Sequence, residues 1–324
     1  MVETSHKSAL FAVIILFEVC TITDLRIVFY LYAPMDRSFP AKILLFGEYT
    51  ILFGASAVAL PYDRFYGRWV HQSLPDQRLI DLSVWIKEKG PGHLLHMEEM
   101  QREFKAGRVF ESTIPIGYGL GSSGALVAAV WEQYRLKDPV SYDILRTHLG
   151  EIEGFFHGNS SGLDPLISFL NRPVLVTGEG KVMPFSSPIL HRVEHHFFLL
   201  NSHLPRKTAP LVQIFRQLLN NTAFHQAVRK SLVDLNENAI SALKHGSYEH
   251  LIAAVKSISR TQFDHFKPMI TMEVSRFWKA GLENKTYYTK LCGAGGGGFY
   301  LVFFEEPSVA NKVSDIWDLI PLAR

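Results

Sequence analysis

Cysteine is scarce in this chain, with two residues in 324, Cys20 and Cys292, far apart in sequence. That excludes a disulfide framework and any CxxC metal or redox motif, and it fits a reducing cytoplasm. An excess of charge of either sign is also missing. Thirty-three Lys and Arg stand against 31 Asp and Glu, a formal +2. No global field selects nucleic acid or an anionic membrane, so any anion must be held by a local site. Apolar runs of spanning length are lacking too. Ala9–Phe17 and Ile27–Leu31 are short, and neither approaches the roughly 20 residues of a membrane helix. His6 and Lys7 precede the first run as in a signal peptide, but no A-x-A cleavage site follows. Internal repeats and low-complexity linkers are absent. His93 with His96, and His195 with His196, form neither HExxH nor a three-ligand metal spacing, so they read as surface or structural histidines.

What is present is a globular composition, 47% hydrophobic and 20% charged, over a length that suits two domains. Ala41–Phe46 is a short apolar run closed by Gly47 and reads as a buried strand. Ala55–Ala59 is a second apolar patch, ended by Pro61. Leu79–Lys87 suits a helix and Val109–Ile114 a strand. Ala125–Arg135 and Val140–Phe156 are helical, and Pro173–Val176 and Phe197–Leu200 read as strands. Helical patterning resumes from Ala209 to about Lys244 and from Tyr248 to Thr261. Tyr287–Leu291 and Phe299–Phe304 flank a glycine run as strand–loop–strand. Pro and Gly interrupt the pattern near Asn171–Gly180, and the division between halves is placed there.

The segment Pro115-Ile116-Gly117-Tyr118-Gly119-Leu120-Gly121-Ser122-Ser123-Gly124 lies between a strand and a helix. Glycines let the backbone approach a phosphate, and a helix N-terminus offers unpaired N–H groups to it. A Ser-capped helix after a tight turn would need fewer glycines. Read as GxGxxG, the segment lacks the following strand and acid of a dinucleotide site, and no Lys-Ser/Thr follows for a Walker loop.

The segment resembles the phosphate loop P-x-G-x-G-L-G-S-S-A of the GHMP kinase superfamily, with Gly124 in place of the alanine. Four further segments resemble the mevalonate kinase branch in the right order. They are Pro40-Ala41-Lys42 through Gly47-Glu48-Tyr49, Glu153 through His157-Gly158-Asn159-Ser160-Ser161-Gly162-Leu163-Asp164, Pro205-Arg206-Lys207-Thr208, and Lys290-Leu291-Cys292-Gly293-Ala294-Gly295-Gly296-Gly297-Gly298. The likeness runs from about Pro40 to Phe304. It implies an α+β, two-domain architecture: a ribosomal protein S5-like N-terminal domain that binds ATP (35–175) and a ferredoxin-like C-terminal domain (176–324). Residues 1–34 read as an extension upstream of a natural start at Met35. The resemblance leaves room for a homodimer and implies a small-molecule substrate, with no nucleic acid or membrane partner.

On residue physics alone, Asp164 before Pro165 reads as a helix N-cap. The resemblance makes it the catalytic base, with Lys42 beside it to stabilise the developing alkoxide. It places ATP on Pro115, Gly117, Gly119, Leu120, Gly121, Ser122, Ser123 and Gly124, and Mg²⁺ on Ser123 and Glu153. Without it, Glu153 is an ordinary solvated helix carboxylate. Glu48, Tyr49, Thr208, Gly295 and Gly296 are expected on the acceptor side, with Arg206 a further candidate there. Cys292 replaces a Thr or Ser and reads as a small buried residue, not a nucleophile.

Tyr49 replaces the histidine of G-E-H, a change also found among phosphomevalonate kinases. Ser160 replaces a proline, which should loosen a turn and removes no chemical group. Ile51 after Thr50 departs from the galactokinase pattern. The expected activity is phosphorylation of a small-molecule hydroxyl by ATP, with mevalonate as acceptor and phosphomevalonate or another GHMP substrate as the alternative. A non-catalytic nucleotide-binding relative is the reading from another class, and the joint presence of Lys42, Ser123, Glu153 and Asp164 argues against it.

Overall fold

Phe39–Phe46 (β1) is an apolar run buried on both faces, with Ala41, Ile43, Leu45 and Phe46 fully inaccessible. In this computed structural model, which describes residues 37–206 and 208–323, Ser38 opens the unit that carries everything below. Residues 1–34, Met35, Cys20 and Lys207 lie outside the described residues.

β1 pairs antiparallel with Ala57–His71 (β2), a strand far longer than the patch that the sequence ends at Pro61. The proline is tolerated because of its register. Pro61 stands opposite Lys42, and the Lys42 N–H points away from β2, to the carbonyl of Leu120 at 2.9 Å. Lys42 and Pro61 are therefore a non-hydrogen-bonded pair, and the nitrogen of Pro61 faces the other edge of β2. That edge pairs with Val174–Val176 (β4) at Ala57–Ala59 and with Arg108–Ser112 (β3) from Gly67 to His71, so Pro61 falls in the gap between them. Val182–Pro184 (β5) completes the five-stranded sheet on β4. This sheet thus continues past the division placed after residue 175.

Gln77–Lys89 (α1) is capped by Asp76, and Met97–Lys105 (α2) follows. Ser122–Tyr134 (α3) is buried from Gly124 to Trp131 and packs on both β1 and β2. Its composition, small and apolar on every face, is that of a central helix. Tyr142–His157 (α4), capped by Ser141, and Leu163–Leu170 (α5) pack beside it.

The second sheet takes Phe197–Asn201 (β6), Tyr287–Leu291 (β7), Phe299–Phe304 (β8) and Leu319–Pro321 (β9), all antiparallel in the order β7-β8-β6-β9. Leu190–Glu194 (α6) leads into β6. Between β6 and β7 run Thr208–Leu218 (α7), Thr222–Gln226 (α8), Val233–His245 (α9), Tyr248–His265 (α10) and Met272–Asn284 (α11). Pro307–Ser314 (α12) joins β8 to β9. Strand order and helical crossovers together make the ferredoxin-like topology expected for this half. Met272–Asn284, not singled out in the sequence, is started by Thr271, whose hydroxyl accepts from the Val274 N–H.

Candidate active site

The loop before α3 brings the phosphate-binding candidates to one helix end. Gly121 is the N-cap residue, left-handed at φ 75°, so Ser122 and Ser123 open the helix with their N–H groups free of intrahelical partners. Leu120 is fully buried, and its carbonyl accepts from the Lys42 N–H, which fastens the loop to β1. Gly119, at φ 78°, faces the Arg206 guanidinium. A side chain there would overlap Nη2, so only glycine lets the arginine lie against the loop. Arg206 donates through Nη1 to the carbonyls of Cys292 (3.3 Å) and Gly295 (3.5 Å), and its own N–H bonds Gly117. It thus bridges the glycine loop before α3 and the second glycine loop.

Lys42 Nζ lies 3.1 Å from Asp164 Oδ1, with the lysine mostly buried and the aspartate a third exposed. Asp164 is not the helix cap. Gly162 holds that position, and Asp164 sits inside the first turn of α5 with its carboxylate turned to Lys42. Gly121 makes room for both. A Cβ there would stand 3.1 Å from Lys42 Cγ and 3.3 Å from Asp164 Oδ2.

Glu153 projects from α4 to the start of α3 and is not a solvated carboxylate, being 4% exposed. Ser123 Oγ donates to its Oε1 at 3.0 Å and is also 3.0 Å from His157 Nε2. Ser160 donates to Oε2 and accepts from the Gly162 N–H. The proline replacement at 160 therefore adds a group to the site, where the sequence suggested only a looser turn. Burial pushes the Glu153 carboxyl up to about 7; the nearby Asp164 adds to this, while Ser160, Ser123 and Lys42 oppose it. A buried acid facing another carboxylate and a serine hydroxyl is a donor set that a hard divalent cation satisfies.

The expected acceptor-side residues do not all reach this place. Glu48 is 4% exposed and ion-paired with Lys290, itself fully buried on β7. Burial raises the Glu48 carboxyl, and Lys290 opposes the shift. Tyr49 is buried; its hydroxyl donates to the Ala294 carbonyl at 2.8 Å and its ring stacks on Phe215 at 4.3 Å. Its backbone sits at φ 61°, an uncommon conformation for an aromatic residue. Gly295 and Gly296 back onto Met269 and Leu211. Thr208 begins α7. Gly298 abuts the backbone of Tyr118, so this loop packs against the glycine loop before α3. Cys292 is a buried free thiol, raised by burial.

Sequence reasoning missed His157, Ser160 and Lys290 as members of the network. His157 lies one helical turn beyond Glu153, which puts both on one face. Lys290, a charge inside the strand YYTKL, was the readable sign of a buried pair.

Residues 93–172 match the GHMP kinases N terminal domain. The chain is 29% identical over 287 residues to a mevalonate kinase of Archaeoglobus fulgidus, covering 84% of this chain and 93% of the relative. Its fold is similar to that of L. major mevalonate kinase solved with R-mevalonate, with TM-score 0.60, 17% identity, and 86% and 89% of the two chains covered. It is also similar to Streptococcus pneumoniae phosphomevalonate kinase solved with phosphomevalonate and AMPPNP, with TM-score 0.58, 17% identity, and 86% and 96% covered. Residues 93–172 thus carry a GHMP kinase N-terminal domain, and the ordered motifs, the two sheets and these likenesses agree on an ATP-dependent small-molecule kinase most similar to the mevalonate kinases.

Proposed function

We propose that this protein phosphorylates the primary hydroxyl of mevalonate with ATP. The observation that carries the reading is the Lys42–Asp164 pair at 3.1 Å beside the glycine loop that opens α3. In this reading the acceptor hydroxyl gives its proton to an Asp164 carboxylate oxygen. Its oxygen bonds the γ-phosphorus, and ADP leaves. Lys42 meets the negative charge that grows on the attacking oxygen. N–H groups of Ser122, Ser123 and Gly124 receive phosphate oxygens. Ser123 and Glu153 would hold Mg²⁺, which when bound neutralises phosphate charge. The residues up to about 175 supply the nucleotide side and those beyond it the covering half. Mevalonate is preferred to phosphomevalonate because the Archaeoglobus relative, matched over 93% of its length, carries that name. Phosphomevalonate would also bring a phosphate dianion beyond the single carboxylate of mevalonate, and of the two cations in the acceptor-side segment, Arg206 and Lys207, Arg206 is already bonded to two carbonyls. A cytoplasmic location, supported by the free thiol of Cys292, and a homodimer, to be read by sedimentation, complete the reading.

ADP release is to be measured with mevalonate, phosphomevalonate, homoserine and galactose at the same ATP and Mg²⁺. The highest kcat/KM is expected with mevalonate. A preference for another acceptor overturns the substrate, and ATP binding without turnover on any acceptor makes the chain a nucleotide-binding relative.

A further inference from the structure

Ser160 stands where the kinases that this chain resembles have proline, and through it the loop after α4 reaches Glu153. Its hydroxyl accepts from the Gly162 N–H at 3.0 Å and gives its one proton to Glu153 Oε2. Residues 158–161 border a cavity of about 760 Å³, so one side of the loop is left unpacked. The other side lies against α4. A Cβ on Gly150 would stand 3.1 Å from the Ser160 carbonyl oxygen, and Arg146 Nε donates to the Ser161 carbonyl at 2.8 Å. Proline would fix such a turn through its ring. Serine fixes it through hydrogen bonds, and one of the two partners of its hydroxyl is a carboxylate of the site. The two oxygens of that carboxylate are held differently. Oε1 accepts from Ser123 Oγ at 3.0 Å, and Ser123 has a second partner at the same distance, His157 Nε2. With the ring proton on Nδ1, Nε2 is an acceptor, so the Ser123 hydroxyl has a place to turn when Oε1 is taken by a cation. Ser160 has no second acceptor among the described residues, and its proton stays on Oε2.

We propose that Ser160 is a positioning residue for the divalent cation: by retaining Glu153 Oε2 it turns Oε1 to Ser123, and Oε1 is the oxygen given to the cation. This rests on the metal role given above to Ser123 and Glu153, and Ser160 acts through Glu153 alone. The same hydroxyl ties that ligand to the base. Its other partner, Gly162, is the N-cap of α5, whose first turn carries Asp164.

The test measures, by calorimetry on the full chain, the Kd of the ATP analogue AMPPNP with excess Mg²⁺ and again with EDTA, so that no turnover is needed. Ser160→Ala and Ser160→Pro both remove the hydroxyl, and the proline supplies the ring in its place. In both, the Kd with Mg²⁺ rises by about tenfold or more, while the Kd with EDTA stays within about twofold of wild type. Ser160→Thr, which keeps the hydroxyl, stays within about threefold of wild type under both conditions. If one of the alanine and proline variants does not fold, the other decides. An unchanged Kd with Mg²⁺ in either folded variant, or a Kd weakened equally with and without Mg²⁺, overturns the proposal and leaves the hydroxyl purely structural. A threonine variant as weak as the alanine one overturns it too. If the wild type binds AMPPNP more tightly with Mg²⁺ yet transfers no phosphoryl group to any acceptor, the proposed function falls, and the Ser160 comparison still decides this inference.

Discussion

Gly124 in α3 is in backbone contact with Asp164 in α5. A Cβ on Gly124 would stand 2.8 Å from the Asp164 carbonyl carbon and 2.8 Å from the Pro165 nitrogen. The missing methyl lets the first turn of α5 close on α3, which brings the Asp164 carboxylate to Lys42.

Gly124→Ala should therefore hurt the enzyme although it favours the helix. Alanine is better than glycine in a helix interior by about 1 kcal/mol, but overpacking costs about 1–3 kcal/mol. The expected result is a melting temperature at or below wild type and a kcat lowered by about tenfold or more, because Asp164 is displaced. A more stable variant with unchanged kcat would show that the two helices can separate freely.

Asp164→Asn keeps the size of the side chain and removes its capacity to take a proton. Turnover should fall by about a hundredfold or more, with the melting temperature and ATP binding nearly unchanged. Near-normal turnover would reduce Asp164 to a residue of the helix start.

Glu153 carries a pH signature that can be read without turnover. Its carboxyl titrates near 7 in the fold, against 4.5 for the unperturbed group. The unfolded chain gives up this proton first. The stability tied to it is complete below about 4.5 and is lost as pH rises through about 7. The wild-type melting temperature, relative to that of Glu153→Gln, should decline across that window in metal-free buffer. Mg²⁺ should raise it again at pH 8, in the wild type alone. Parallel curves for the two proteins would place Glu153 in solvent.

Tyr49→Phe removes the bond to Ala294 and keeps the stack on Phe215. A loss of about 1 kcal/mol is expected, seen as a melting temperature lower by about 2–4 °C. The acceptor KM should stay within about twofold. A raised acceptor KM at unchanged stability would return Tyr49 to the substrate side.

Much of the site could be read from the chain because it is local. Three alternating glycines before Ser122 and Ser123 describe their own backbone conformation, since positive φ and a free helix start belong to a few consecutive residues. The strand–loop–strand around Ala294 is equally self-contained. Other features depend on partners that no spacing specifies. Ser160 looked like a lost proline until α4 placed Glu153 against its hydroxyl. Asp164 looked like a cap until Lys42 stood opposite. β2 looked finished at Pro61 until the register showed that its nitrogen faces a gap. The motif points Glu48 and Tyr49 to the acceptor, whereas their side chains meet Lys290 and Ala294, across 242 and 245 residues. Backbone conformation follows from neighbours along the chain. The partner of a buried charge or hydroxyl follows from which strands and helices come to lie side by side.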